Sequence, residues 1–341
     1  MTYASPNSPY CPDPFKFSEA TLEQLNAGSM FWVYVGHGHV RNLDFLRVEQ
    51  DWLCILHDSQ VPQVNTQRPP IAVFLACYTG AFDAQEDCIA EQMVLSPKGP
   101  PAALAATRVT GPYGLASLAG EILDECIEKR TETIGMMMLN ARRQMFVPDR
   151  APDESSSAAD SVPVDPKDAQ MEMITAIAKA LSPDGHDLRQ ERIEHVWQLH
   201  LLGDPLLRVQ RPQEIAIDAL DAALADAEMQ INGRAPHAGK LTVQLARRRD
   251  HSPAGLFTAG NFTTDPNVRQ KMHSTYSGAN ERVVIECAQD VDEPGRFVCS
   301  IKVPKDTPPG RYDVRAFLQG DANWSAGHAP VQVRRPPKNG K

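Results

Sequence analysis

No stretch of the sequence approaches the roughly 18 consecutive apolar residues of a membrane-spanning helix. The opening residues, Met-Thr-Tyr-Ala-Ser-Pro, carry neither the basic start nor the apolar run of a secretory leader. The expectation is a soluble chain with no membrane span and no export signal. Basic blocks are equally scarce: the net charge is −9, and lysine and arginine cluster only at residues 247–249 and in the tail from 334 to 341. That distribution disfavours nucleic acid or an anionic membrane surface as a partner. No Cys-x-x-Cys pair occurs among the seven cysteines, at 11, 54, 77, 88, 126, 287 and 299. Zinc ribbons and thioredoxin-type redox motifs are therefore excluded, and the odd count leaves at least one thiol free.

What the chain does have is length and apolar content for two domains, with 341 residues of which 42% are hydrophobic. Two apolar runs end on reactive residues, Met30-Phe-Trp-Val-Tyr-Val-Gly36-His37-Gly38-His39 and Ile71-Ala-Val-Phe-Leu-Ala-Cys77-Tyr-Thr-Gly80. β-Branched and aromatic residues uninterrupted by polar ones, stopping at glycine-containing turns, predict short buried strands. In a mostly parallel sheet such strands are covered on both faces, and ligands bind outside their carboxyl ends. If the two strands are neighbours, an imidazole and a thiol meet in one crevice, as nucleophilic catalysis requires.

The rest of residues 1–212 reads as elements of the same domain. A helix ends near Asn26 ahead of Gly28, and a helical crossover over 45–57 links the two strands. A further helix starts near Asp87, a third buried strand covers 102–109, and Thr110-Gly-Pro-Tyr113 at its carboxyl end joins the crevice. One long amphipathic helix spans 118–146, with methionines as core filler. Residues 148–168, rich in serine and proline, predict a mobile loop and a site for a proteolytic nick. Helices over 169–181 and 187–202 follow, with a last strand at 206–209. From 213 to 341 the pattern alternates with period two, at 241–245, 282–287, 296–303, 311–317 and 330–333. Turn residues separate these runs, which predicts a small antiparallel sandwich of immunoglobulin-like architecture. A hairpin turning at 291–295 would set Cys287 opposite Cys299, either as two reduced core cysteines or as a cross-strand disulfide.

His37-Gly-His39 also invites a zinc reading. The metallo-β-lactamase-like version needs Asp and then His after the second histidine, where Arg41 and Asn42 stand. No metal or cofactor is expected. His195 and His200, five apart on a predicted helix, share no face and read as structural or solvated.

The motifs Tyr34-Val-Gly-His-Gly38, Ala76-Cys77 with Gly80-Ala-Phe-Asp83, Cys88-Ile-Ala-Glu91, Lys98-Gly99, the alanine-rich strand to Thr107 and Leu202-Gly-Asp-Pro205 resemble the gingipain-type cysteine peptidases of the caspase-like clan. The resemblance covers roughly residues 18 to 210 and keeps the family's order. It implies a caspase-like catalytic domain followed by an immunoglobulin-like one, and cysteine endopeptidase activity on protein or peptide substrates. It implies an extracellular, cell-surface or periplasmic setting as well. Carried over by position, His37 is the catalytic histidine and Cys77 the nucleophile. The N–H groups of Gly38 and Cys77 form the oxyanion hole, and Tyr113 is a wall of the substrate pocket. The competing expectation is a non-catalytic caspase-like scaffold or interaction module.

Overall fold

The computed structural model describes residues 1–147, 166–218, 220, 222–248, 256–321 and 323–335. The chain divides into two compact units, one of residues 14–209 and one in which residues 3–13 group with 210–341.

In the first unit, α1 (Phe17–Asn26) ends at Gly28, whose φ of +77° suits glycine and whose backbone lies against Arg68. The chain then enters β1 (Phe31–Val35), β2 (Phe45–Val48), β3 (Asp51–Cys54) and β4 (Ile71–Leu75). After β4 come α2 (Ile89–Leu95), β5 (Ala102–Ala106), α3 (Pro112–Ile127), α4 (Ile134–Met145), α5 (Pro166–Leu181), α6 (Leu188–Gln198) and β6 (Leu199–Gly203). The sheet order is β1-β4-β5-β6. The first three strands are parallel and β6 runs antiparallel to β5. Ile71, Val73, Leu104 and Leu199 on one face of this sheet pack with Leu118 and Ile122 of α3, Ile134 and Met137 of α4 and Val196 of α6. On the other face Trp32 meets Phe74 edge to face, with ring centroids 5.5 Å apart. The result is a mixed α/β unit with a mainly parallel sheet flanked by helices.

Three expectations are corrected here. Where a helix over 45–57 is expected, residues 45–54 form a hairpin of β2 and β3. Phe45 to Val48 alternates outward and inward, and Glu49 takes a φ of +54° in the turn. The long helix over 118–146 is two helices. It breaks where Arg130 takes a φ of +53°, and Thr133 starts α4 by accepting the Met136 N–H. The last strand is Leu199–Gly203 rather than 206–209, which makes one isolated bridge, Thr133 to Arg208. Residues 148–165 of the expected loop lie outside the described residues, and Pro166 already belongs to α5.

The second unit contains β7 (Gln213–Glu214), β8 (Ala216–Ile217), β9 (Ala223–Leu224), β10 (Glu228–Ala235), β11 (Gly239–Arg247), α7 (Pro266–Asn280), β12 (Val283–Val291), β13 (Gly295–Lys302), β14 (Gly310–Gln319) and β15 (Trp324–Arg334). One sheet runs β13-β10-β8; the other runs β12-β11-β14-β15-β7, with β9 also on β15. Strict alternation sends Ile231, Phe297 and Ile301 from the first sheet and Leu241, Val243, Val314 and Val331 from the second into one core. This is a β-sandwich. Cys287 and Cys299 are joined by a disulfide. Their strands do not pair as a hairpin, because β12 pairs with β11 and β13 with β10, so the bond crosses between the sheets. The helix α7 has no counterpart in the sequence reading. Its Arg269 holds the buried Asp13 through two hydrogen bonds of 2.8 and 2.9 Å, which ties residues 3–13 into this unit. Among the described residues no helix is long and apolar enough to cross a membrane.

Candidate active site

β1 and β4 are parallel neighbours with Val35 beside Leu75, and the Gly36 N–H donates to the Leu75 carbonyl at 3.3 Å. The ladder ends at Val35 and Leu75, so His37 and Cys77 each lie two residues beyond the carboxyl end of their strand. The adjacency is direct at Gly38. A Cβ there would stand 2.7 Å from the Cys77 carbonyl oxygen and 2.9 Å from the Ala76 Cβ, so the backbone lies on the Cys77 turn.

The histidine loop is fastened from below. The Tyr34 hydroxyl donates to the His37 carbonyl at 2.8 Å and accepts the Asp44 N–H at 3.3 Å. Gly36 is needed where this ring crosses, since a Cβ would come within 2.7 Å of the hydroxyl oxygen. The His39 N–H donates to the Asn42 carbonyl, closing the turn beyond. His37 itself is exposed.

Cys77 is half-buried, and among the described residues its Sγ hydrogen-bonds with Thr110. The Thr110 N–H donates to Sγ at 3.3 Å, its hydroxyl lies 3.5 Å away and its carbonyl 3.9 Å. The next residue, Tyr78, takes a φ of +58°, a left-handed turn of the kind that concentrates at functional sites. Three hydrogen bonds hold that turn: Tyr78 N–H to the Arg108 carbonyl, Gly80 N–H to the Ala106 carbonyl and the Thr79 hydroxyl to the Ala76 carbonyl. A bidentate pair between Arg108 and Asp83 joins the loops after β4 and β5, and the arginine holds the Asp83 carboxyl below the usual carboxylate range.

The other reduced thiols differ in kind. Burial pushes Cys11 and Cys88 up to about 12 and raises Cys54 as well. A thiol held protonated is a poor nucleophile. Cys88 is fully buried and caps α2, and Cys126 is buried in the core under α3.

Of the residues expected at the site, His37, Gly38 and Cys77 share one end of the sheet. Tyr113 is buried, and its hydroxyl lies 3.2 Å from that of Thr175. Thr110 was legible as part of a third crevice loop, but its contact with the sulfur was not. A polar cavity of about 350 Å³ is lined by Arg41, Asp58, Ser59, Pro62, Glu86, Asp87 and Gln92 and by neither His37 nor Cys77. The Arg41 guanidinium bridges Asp58 and Glu86 there. Among the described residues no three His, Cys, Asp or Glu side chains gather as a metal site.

A family model described as peptidase family C25 matches residues 3–210. No curated protein matches the chain. Among solved structures, one described as a protease is 14% identical with a TM-score of 0.35, over 91% of this chain and 56% of that one. Dimeric latent PorU from Porphyromonas gingivalis is 13% identical with a TM-score of 0.26, over 50% of this chain and 16% of that one. BslA, a bacterial hydrophobin, is 8% identical with a TM-score of 0.19, over 38% of this chain and all of that one. The chain thus spans 56% and 16% of the first two structures it resembles.

Proposed function

Because the chain belongs to peptidase family C25, the gingipain family, we propose that it is a cysteine endopeptidase whose nucleophile is Cys77 and whose general acid and base is His37. The supporting observation is the parallel register of β1 and β4, which carries both residues to one sheet end with the Thr110 N–H aimed at the sulfur. The Cys77 thiolate adds to the scissile carbonyl carbon, and the N–H groups of Gly38 and Cys77 receive the oxyanion. As the C–N bond breaks, the His37 imidazolium gives its proton to the leaving amine. Neutral His37 then takes a proton from water, whose oxygen attacks the thioester and releases the acid and the thiolate. His37 and Cys77 share no hydrogen bond before substrate is bound, and such contacts commonly tighten only in the reacting complex.

In this reading residues 1–212 form a caspase-like catalytic domain and 213–341 an immunoglobulin-like one. The disulfide between Cys287 and Cys299 favours an oxidising, extracellular setting. The second reading is a non-catalytic caspase-like interaction module, in which the contacts of the Cys77 sulfur with Thr110 serve packing alone. A peptide-library digestion, run with an electrophilic peptide probe on wild type, Cys77→Ala, His37→Ala and Cys88→Ala, separates the two. The enzyme loses cleavage and labelling in Cys77→Ala, loses turnover in His37→Ala and keeps both in Cys88→Ala. Equal labelling of the two cysteine variants, or no cleavage by wild type, supports the interaction module.

A further inference from the structure

The peptide unit between Thr110 and Gly111 faces two ways. Its carbonyl oxygen lies 3.9 Å from the Cys77 sulfur, and its N–H donates to Nε2 of His195 at 3.0 Å. A trans peptide is planar, with its C=O and N–H pointing in opposite directions, so the side of the unit that faces the sulfur cannot tilt unless the side that faces the imidazole tilts with it. The imidazole is itself fixed. Nδ1 of His195 lies 2.6 Å from the Glu191 carbonyl, which can only accept, so Nδ1 carries the proton and Nε2 presents its lone pair to Gly111. One turn earlier on α6, the buried Glu191 carboxylate accepts the Gly114 N–H at 2.8 Å and takes His186 Nε2 on its other oxygen at 2.6 Å. A carboxylate at the first turn of α3 also favours the positive end of that helix.

The fit leaves no space for a side chain at Gly111 or Gly114. A Cβ on Gly111 would stand 2.2 Å from Glu191 Oε1, and one on Gly114 would stand 2.2 Å from His195 Nδ1. The two glycines of Thr110-Gly-Pro-Tyr-Gly114 thus match a Glu and a His four residues apart on one face of α6. We propose that Glu191 and His195 are positioning residues that clamp the Gly111 and Gly114 amides and so hold Thr110, whose carbonyl shares the clamped peptide unit and whose N–H belongs to the preceding one, against the Cys77 sulfur. This rests on the reading of Cys77 as the nucleophile. The N–H is worth most when the sulfur is anionic, because hydrogen bonds to charged groups are about twice as strong as neutral ones.

Two substitutions of similar polarity separate this role from a merely structural one. In His195→Asn the amide group can still donate to the Glu191 carbonyl but cannot reach Gly111; in His195→Gln the amide oxygen can stand where Nε2 stood and accept the Gly111 N–H. Iodoacetamide alkylation of Cys77 across a pH series, read by mass spectrometry on the full chain, reports the thiolate, and thermal unfolding of each variant reports the fold. The expected result is alkylation about tenfold slower at neutral pH in His195→Asn, with its profile moved upward by about one pH unit, and rates near wild type in His195→Gln. Equal rates in the two variants overturn the proposal, whatever their melting temperatures. Alkylation reads the thiol whether or not any peptide is cut. A chain that cleaves nothing yet shows the Asn–Gln contrast upholds the clamp and overturns the peptidase reading, and a chain that cleaves without the contrast does the reverse.

Discussion

Gly38 and Gly120 are both glycines without a positive φ, yet replacing each by alanine has opposite consequences. At Gly38 a methyl would meet the Cys77 carbonyl and the Thr79 methyl at 2.7 Å, and neither backbone nor buried threonine can retreat cheaply. The histidine loop must lift off the cysteine turn. A misplacement of about 1 Å costs on the order of 100-fold in rate, so Gly38→Ala should lower kcat/KM by about that factor. At Gly120, inside α3, nothing lies within 4 Å of the new methyl. Gly120→Ala should raise stability by about 0.5–1 kcal/mol and leave kcat/KM unchanged, as peptide hydrolysis and urea unfolding would show; equal kinetic losses in both would refute the steric argument. The difference between these glycines is only partly visible in the sequence. Gly38 stands out because it follows a histidine at the end of an apolar run. Glu191 and His195 do not stand out, since a carboxylate and an imidazole on a polar helix read as solvated. Their partners are backbone N–H groups some eighty residues away, which leave no side-chain pattern to find.

Among the elements, the joint between α3 and α4 depends on one carboxylate. Glu125 is 2% exposed and accepts hydrogen bonds from Lys129, Thr131 and Asn140. Burial alone would raise its carboxyl, but these donors and the Lys129 charge outweigh that and hold it below the usual range. A lowered folded-state value means that the carboxylate contributes stability above its unfolded value, and that this is lost as pH falls through the folded one. Glu125→Gln should therefore cost about 2 kcal/mol at neutral pH. In urea unfolding the gap from wild type should close as pH falls below about 4; a gap that stays constant with pH would show that the charge is not what matters. The same joint explains why a single helix over 118–146 was expected. Apolar periodicity runs on through Ile122, Cys126, Ile134 and Met137, which share one core, and the break between them is made by a side chain capturing Thr131. The hairpin at Phe45–Cys54 was missed for a related reason. Two strands of four residues are too short for a period of two to stand out from a helical one.

The molecule as a whole places opposite redox demands on its cysteines. Cys77 must be a free thiol to act as a nucleophile, whereas Cys287 and Cys299 are bonded across the sandwich core. The period-two runs after residue 241 were legible as strands because each buries alternate residues. Their division between two sheets was not, since it depends on which strands pair over a long sequence distance, and so the two cysteines were expected on one hairpin rather than on facing sheets. That placement has a consequence for the reagent any activity assay would use. The bond closes a loop across a sequence separation of 12 residues, and a closure of that size contributes about 3 kcal/mol, chiefly by restricting the unfolded chain. A thiol reductant strong enough to open it should destabilise the unit of residues 210–341 by about that amount, while a mild one should restore an oxidised Cys77 without touching the sandwich. Alkylation of native protein without reductant should label Cys77 first, leave the buried Cys11 and Cys88 slow, and leave Cys287 and Cys299 unlabelled until strong reduction. Thermal unfolding of Cys287→Ala/Cys299→Ala should match that of the strongly reduced wild type. Labelling of Cys287 or Cys299 in unreduced protein, or a double variant as stable as the oxidised wild type, would show that the inter-sheet bond does not hold the sandwich together.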